Sequence, residues 1–287
     1  MTAFTTLISA GELAARIDDV MLFDCSFDLG DTEAGRAHFA EGHIPGAVYL
    51  HVDEDLSARP DGHNGRHPLP DRAAFAARLA EAGLRQGQQV VAYDASGGPY
   101  AARLWWMLNW LGHEAVAVLD GGIQAWTDAG LPLEQGAAKA RPRGDFVSSA
   151  TPGALTVSAD DIMASLGDRS LLVIDARSAE RFAGAPSPLD PVSGHIPGAR
   201  NLCYRDNLTP EGLFRPAVEL AADYDAVMGD VPLDRVVLQC GSGITAAHDL
   251  LAMAVAGRKG ARLYPGSWSE WISDPARPVE RDEGKPA

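Results

Sequence analysis

Apolar residues fall along this chain in short runs of strand length, and longer stretches with one apolar face at helical spacing lie between them. Met21-Leu22-Phe23-Asp24, Val90-Val91-Ala92-Tyr93-Asp94, Leu172-Val173-Ile174-Asp175 and the run that ends at Gln239 are of the first kind. Apolar at successive positions and too short for a buried helix, they read as strands covered on both faces. Asp71 to Ala82 and Pro99 to Leu111 read as helices, the second opening on proline and closing at Gly112. Strand and helix alternate, which predicts the α/β class: parallel sheets with helices on both faces.

The pattern occurs twice. Glu41-Gly42-His43-Ile44-Pro45-Gly46-Ala47 is answered by Ser193-Gly194-His195-Ile196-Pro197-Gly198-Ala199, and Leu119-Asp120-Gly121 to Trp126 by Tyr264-Pro265-Gly266 to Trp271. Asp94 then stands where Cys240 stands in the second copy. A tandem duplication of one layered unit follows, with domains at 1–133 and 154–287. The intervening stretch 134–153, rich in Gly, Ala, Ser, Pro and Arg and without period, is expected to be the linker. The tail after Asp274, which closes on residues 283–287, reads as irregular.

Composition narrows the function classes. Of 287 residues, 46% are hydrophobic and 22% charged, as in a globular protein, and no apolar run approaches the roughly 18 residues of a membrane span. A formal net charge of −15 argues against nucleic acid and anionic membranes as partners. Any anionic substrate must be drawn in by a few local cations. The opening residues lack the pattern of a secretory signal, and the expectation is a cytoplasmic protein. Cys25, Cys203 and Cys240 show no CxxC or Cys/His spacing, so neither a disulfide framework nor a metal is expected.

Cys240 is the candidate nucleophile. It ends a strand and is followed by Gly241-Ser242-Gly243-Ile244-Thr245 and a helical pattern through Leu250, Leu251 and Met253. Glycines in such a turn let several N–H groups point inward, and the helix start adds its positive end, so the loop is an anion cradle that favours a thiolate. Cys25, beside Asp24 and Asp28, and Cys203, without a glycine turn, are expected to be structural. Two chemistries use such a loop. A cysteine phosphatase needs an arginine six positions after the nucleophile, where Ala246 stands, and commonly a histidine before it, where Gln239 stands. Sulfur transfer asks only that backbone N–H groups stabilise a persulfide. A thiol that merely senses oxidants or persulfides is the non-enzymatic alternative.

These motifs together resemble the two-domain rhodanese family over roughly residues 5–275. The resemblance implies two tandem rhodanese-like domains, of which only the C-terminal copy is catalytic, and an enzyme that forms a Cys240 persulfide without metal or organic cofactor. It implies a small anionic sulfur donor, and as acceptor a thiol, including that of a thioredoxin-like protein, or cyanide. The loop Cys240-Gly241-Ser242-Gly243-Ile244-Thr245 looks like the form found with 3-mercaptopyruvate as donor, whereas thiosulfate-preferring members typically carry Arg-Lys after the cysteine. The substrate-contacting arginine of the family falls on Arg181, with Asp175 and Arg177 as supports. Gly241, Gly243, Ile244 and Thr245 fall on the substrate-binding loop, Thr245 being expected to cap and brace it. Ser242 falls on the serine that serves the departing pyruvate enolate, with His43 as its partner and Asp31 completing the group. The twin of His43 at His195 equally supports a structural corner. One departure stands out: Leu189 occupies the place of an expected second arginine.

Overall fold

The computed structural model describes residues 3–153 and 155–282. The closing tail residues 283–287 and Ala154, where the second domain is expected to begin, lie outside the described residues. The chain forms two compact units, 3–58 with 69–153 and 210–214, and 59–68 with 155–209 and 215–282. The units thus cross the boundaries read from sequence: a segment of each repeat packs with the other unit. Residues 134–153 also do more than link. Glu134 pairs antiparallel with His43, the Arg141 guanidinium donates to Gly46 O at 2.6 Å, and Ser149 N donates to Leu111 O at 2.8 Å, all within unit 1.

Unit 1 contains β1 (Leu7–Ile8), α1 (Ala10–Ala14), β2 (Met21–Asp24), α2 (Ala34–Glu41), β3 (Val48–Tyr49), α3 (Arg72–Glu81), β4 (Val90–Tyr93), α4 (Pro99–Trp110), β5 (Val116–Leu119) and α5 (Gly122–Asp128). Its sheet runs β1-β5-β4-β2-β3, all parallel, with Phe23 opposite Ala92 and Ala92 opposite Val118. Every residue of β2, β4 and β5 is buried, so both faces are covered. Asp71 caps α3 by accepting from Ala74 N at 2.9 Å, and Phe75, Ala76, Leu79 and Ala80 form its buried face. In α4 Trp105 and Trp106 are buried, and Trp106 stacks on Trp110.

Unit 2 contains α6 (Ala159–Ser165), β6 (Leu172–Asp175), α7 (Ala179–Ala183), β7 (Arg200–Asn201), α8 (Ala217–Met228), β8 (Val236–Gln239), α9 (Thr245–Val255), β9 (Arg262–Leu263) and α10 (Ser267–Trp271). The order is β7-β6-β8-β9, again all parallel, and Thr156 bridges Leu263 in the place that β1 takes beside β5. The duplication read from sequence is therefore a duplication of topology.

A buried polar group fastens α9 to the neighbouring chain. Asn207 donates to Asp249 Oδ1 at 2.8 Å and accepts from the Tyr224 hydroxyl at 3.0 Å, all three being buried. Burial pushes the Asp249 carboxyl well above the usual carboxylate range, against the hydrogen bonds of Asn207 and Tyr224. A carboxyl whose folded pKa is raised stabilises fully below its unfolded pKa, near 4, and loses that contribution as pH climbs toward the folded value. Asp249→Asn removes the loss. Urea unfolding at pH 5 and pH 8 should show the variant gaining on the wild type as pH rises, and a constant difference would contradict a raised Asp249 pKa.

Candidate active site

β8 delivers Cys240 into a turn that closes around its sulfur. Cys240 Sγ accepts from the N–H of Gly243 at 3.1 Å and of Ser242 at 3.5 Å. Gly243 has φ +79°, a left-handed conformation that a side chain would strain. The following α9 points its positive end at the same turn. At its start Ile244 takes the cap position without a side-chain bond, so Thr245 is the first helical residue and not the cap expected from sequence. An apolar cap residue cannot accept an N–H, which leaves the helix start to the loop. The outer side is pinned by α10: Cys240 N donates to Ser267 Oγ at 3.1 Å, Trp268 N to Cys240 O at 2.9 Å and Ser269 N to Gly241 O at 2.9 Å.

The matching turn of unit 1 shows what the cradle is built for. Asp94, fully buried, accepts from Ser96 N and Gly98 N on Oδ1 and from Tyr100 N and Ala101 N on Oδ2, at 2.8 to 2.9 Å. The same fold element thus holds a carboxylate in one repeat and a sulfur in the other. Where α10 approaches Cys240, Ser267 is left-handed at φ +53°, and its counterpart in unit 1 is Gly122 at +59°.

The other two cysteines are held as thiols. Burial, followed by the carboxylates of Asp24, Asp94 and Asp55, pushes Cys25 well up, and burial likewise raises Cys203.

Arg181 lies in α7 within reach of the cysteine loop. Its Nη2 is 3.4 Å from the point where a Cβ on Gly241 would sit, and the same group pairs with Asp190 Oδ2. A Cβ at 241 would thus meet this guanidinium at ordinary van der Waals distance. Asp175 and Arg177, expected as supports, form a buried pair: Arg177 Nε lies 3.0 Å from both carboxylate oxygens and Nη2 2.6 Å from Oδ2. Arg177 also donates to Gly194 O at 2.8 Å and lies over the Trp268 ring at 4.7 Å. It therefore fastens the start of α7 to the Gly-His-Ile-Pro-Gly corner and to α10.

Ser242 finds its histidine in a place the sequence did not mark. Its hydroxyl lies 2.7 Å from His67 Nδ1, both residues being buried in unit 2. The expected partner, His43, has other bonds in unit 1: Nδ1 lies 2.7 Å from Phe39 O and the ring stacks on Phe39 at 3.8 Å. His195 repeats this arrangement with Phe182, at 2.8 and 3.8 Å. The same Nδ1 bond and ring stack in both copies are what a structural corner requires of this histidine. Asp31, expected to complete the group, is exposed and accepts from Glu33 N at the turn before α2. The usable signal for His67 was asymmetry: the reciprocal segment 210–214 carries no histidine, whereas His43 has a twin.

Metal ligation has one candidate among the described residues, Glu33, His51 and Glu54. Both His51 ring nitrogens are engaged, Nε2 by Thr32 O and Nδ1 by Asp53 N, and Arg36 bonds both glutamates. The three residues fit an ion-paired surface better than a cation.

A cysteine in an amide cradle, a cation beside it and a hydroxyl on an imidazole are the groups that covalent transfer uses, here on a duplicated parallel α/β fold. Residues 9–129 and 158–274 each match the Rhodanese-like domain, and the chain belongs to that family. It is 47% identical to a probable 3-mercaptopyruvate sulfurtransferase of Pseudomonas aeruginosa, over 95% of this chain and 97% of that one. It is 39% identical to a putative thiosulfate sulfurtransferase of Mycobacterium tuberculosis, over 96% of each. The solved structure of 3-mercaptopyruvate sulfurtransferase from Leishmania major superposes with a TM-score of 0.81 at 31% identity, covering 93% of this chain and 74% of that one. Among the described residues no helix is long and apolar enough to cross a membrane.

Proposed function

We propose that this protein is a sulfurtransferase that takes the sulfur of 3-mercaptopyruvate onto Cys240 and passes it to a thiol or to cyanide. The observation that carries the reading is the sulfur of Cys240 accepting two loop N–H groups beside the Arg181 guanidinium. Arg181 binds the donor carboxylate, and the Cys240 thiolate attacks the donor sulfur. The S–S bond forms as the carbon–sulfur bond breaks, and its electron pair leaves as the enolate of pyruvate. The enolate takes a proton from the Ser242 hydroxyl, which His67 orients and reprotonates with the proton that the donor thiol gives up, so that the persulfide is left as an anion. The loop N–H groups stabilise the negative persulfide, and an acceptor thiolate then attacks its outer sulfur and frees Cys240. A reducing cytoplasm suits a chain whose three cysteines are unpaired.

Thiosulfate is the second reading, because one of the relatives bears that name. Its leaving group, sulfite, departs without needing a proton. Ser242→Ala and His67→Asn should therefore lower kcat with 3-mercaptopyruvate by about 10²- to 10⁴-fold, with a much smaller loss for thiosulfate. The double variant should be no worse than the worse single one, since the two groups act as one relay. Steady-state rates with both donors check this, and a wild-type preference for thiosulfate would reverse the choice of donor.

A further inference from the structure

A second guanidinium stands beside Arg181, contributed by a residue remote in sequence. Arg66 Nη2 lies 3.3 Å from the Cβ point of Gly241, on the same side of the loop as Arg181 Nη2. Its Nη1 donates to Leu189 O at 2.8 Å and reaches Asp190 Oδ1 at 3.3 Å, while Arg181 holds Asp190 Oδ2. The two guanidiniums therefore share one buried carboxylate. The backbone of Arg66 is fixed as well, because its N–H donates to Ser269 Oγ at 3.0 Å and Ser269 N donates to Gly241 O. Position 189 contributes a carbonyl oxygen where an arginine side chain was expected.

We infer that Arg66 is the second arm of the donor-carboxylate clamp, doing from a remote loop what position 189 does not. The inference rests on the proposed sulfur transfer from 3-mercaptopyruvate. Its charge balance favours that donor: two guanidiniums against one Asp190 carboxylate leave a single positive charge, which one carboxylate neutralises. A dianion such as thiosulfate overshoots it. Moreover, Nε of Arg66 and Nε of Arg181 are both buried with no hydrogen-bond partner among the described residues, unspent donors next to the cysteine loop. In a protein of net charge −15, so local a pair of cations is what an anionic donor requires.

Arg66→Ala should raise KM for 3-mercaptopyruvate roughly 10- to 100-fold, the range expected for losing a charge-assisted hydrogen bond, with kcat little changed. Arg66→Lys should recover part of the loss, since an ammonium keeps the charge but not the fork. The control is discharge of the loaded Cys240 persulfide by dithiothreitol, a neutral thiol that needs no carboxylate site. Unchanged discharge with a raised KM supports the clamp. An unchanged KM in Arg66→Ala overturns it, and so does equal slowing of loading and discharge, which marks a merely structural arginine. If the wild-type protein takes no sulfur from 3-mercaptopyruvate at all, the sulfurtransferase reading itself has failed, a result distinct from either.

Discussion

Cys240→Ser should abolish sulfur loading while leaving the fold in place. Serine is close in shape and leaves an acceptor facing the loop N–H groups that now bond Cys240 Sγ at 3.1 and 3.5 Å, but its oxygen is neither a soft nucleophile nor a carrier of a second sulfur. Loss of a covalent nucleophile typically removes on the order of 10⁴-fold or more of the rate. Intact-mass measurement after incubation with 3-mercaptopyruvate should find one added sulfur atom on the wild-type protein and none on the variant. Cys25 and Cys203, both pushed up by burial, should stay unloaded. A sulfur atom found on the Cys240→Ser protein would place the carrier elsewhere and undo the mechanism.

Arg177→Ala should be the most damaging single change to stability near the site. It leaves the Asp175 carboxylate, fully buried in unit 2, without its countercharge, and it strips the Trp268 ring and Gly194 O of their cation. Breaking a buried ion pair from one side costs about 3 to 5 kcal/mol, a fall of about 10 °C in the unit 2 midpoint. Replacing both partners by Asp175→Asn and Arg177→Met should restore a good part of it, because the uncompensated charge is then gone. Calorimetry of the two variants beside the wild type checks this. A single variant no worse than the double would show that the pair is solvated rather than buried.

The sequence was most informative where chemistry and local structure coincide. The strand, glycine turn and helix around Cys240 lie within a few consecutive residues, so the cradle could be read from its own letters. Asp94 at the matching place gave an internal comparison, and its four N–H bonds show the donors of the turn converging on one side chain, against the burial that raises this carboxyl above its usual range. The helical stretch from Asp71 and the proline start of α4 were legible for the same reason, while the cap role of Asp71 came from the structure. Thr245 is not the cap because α9 already begins there, which puts the cap one residue earlier, at Ile244. Neither His67 nor Arg66 was found. Both lie in an aperiodic stretch of the first repeat, and nothing local indicates that 59–68 packs with the second unit.

What the sequence determined alone was the architecture and the candidate nucleophile: strand-length apolar runs impose parallel sheets buried on both faces, and repetition of the landmarks imposes two such units. Tertiary structure decided which remote residues stand beside the cysteine loop. Hydrogen bonds and ion pairs act over about 3 Å whatever the separation along the chain, and here they join residues 175 positions apart, His67 and Ser242, and 124 apart, Arg66 and Asp190. The second guanidinium absent at Leu189 is thus present in space at Arg66, and the imidazole sought at His43 is found at His67.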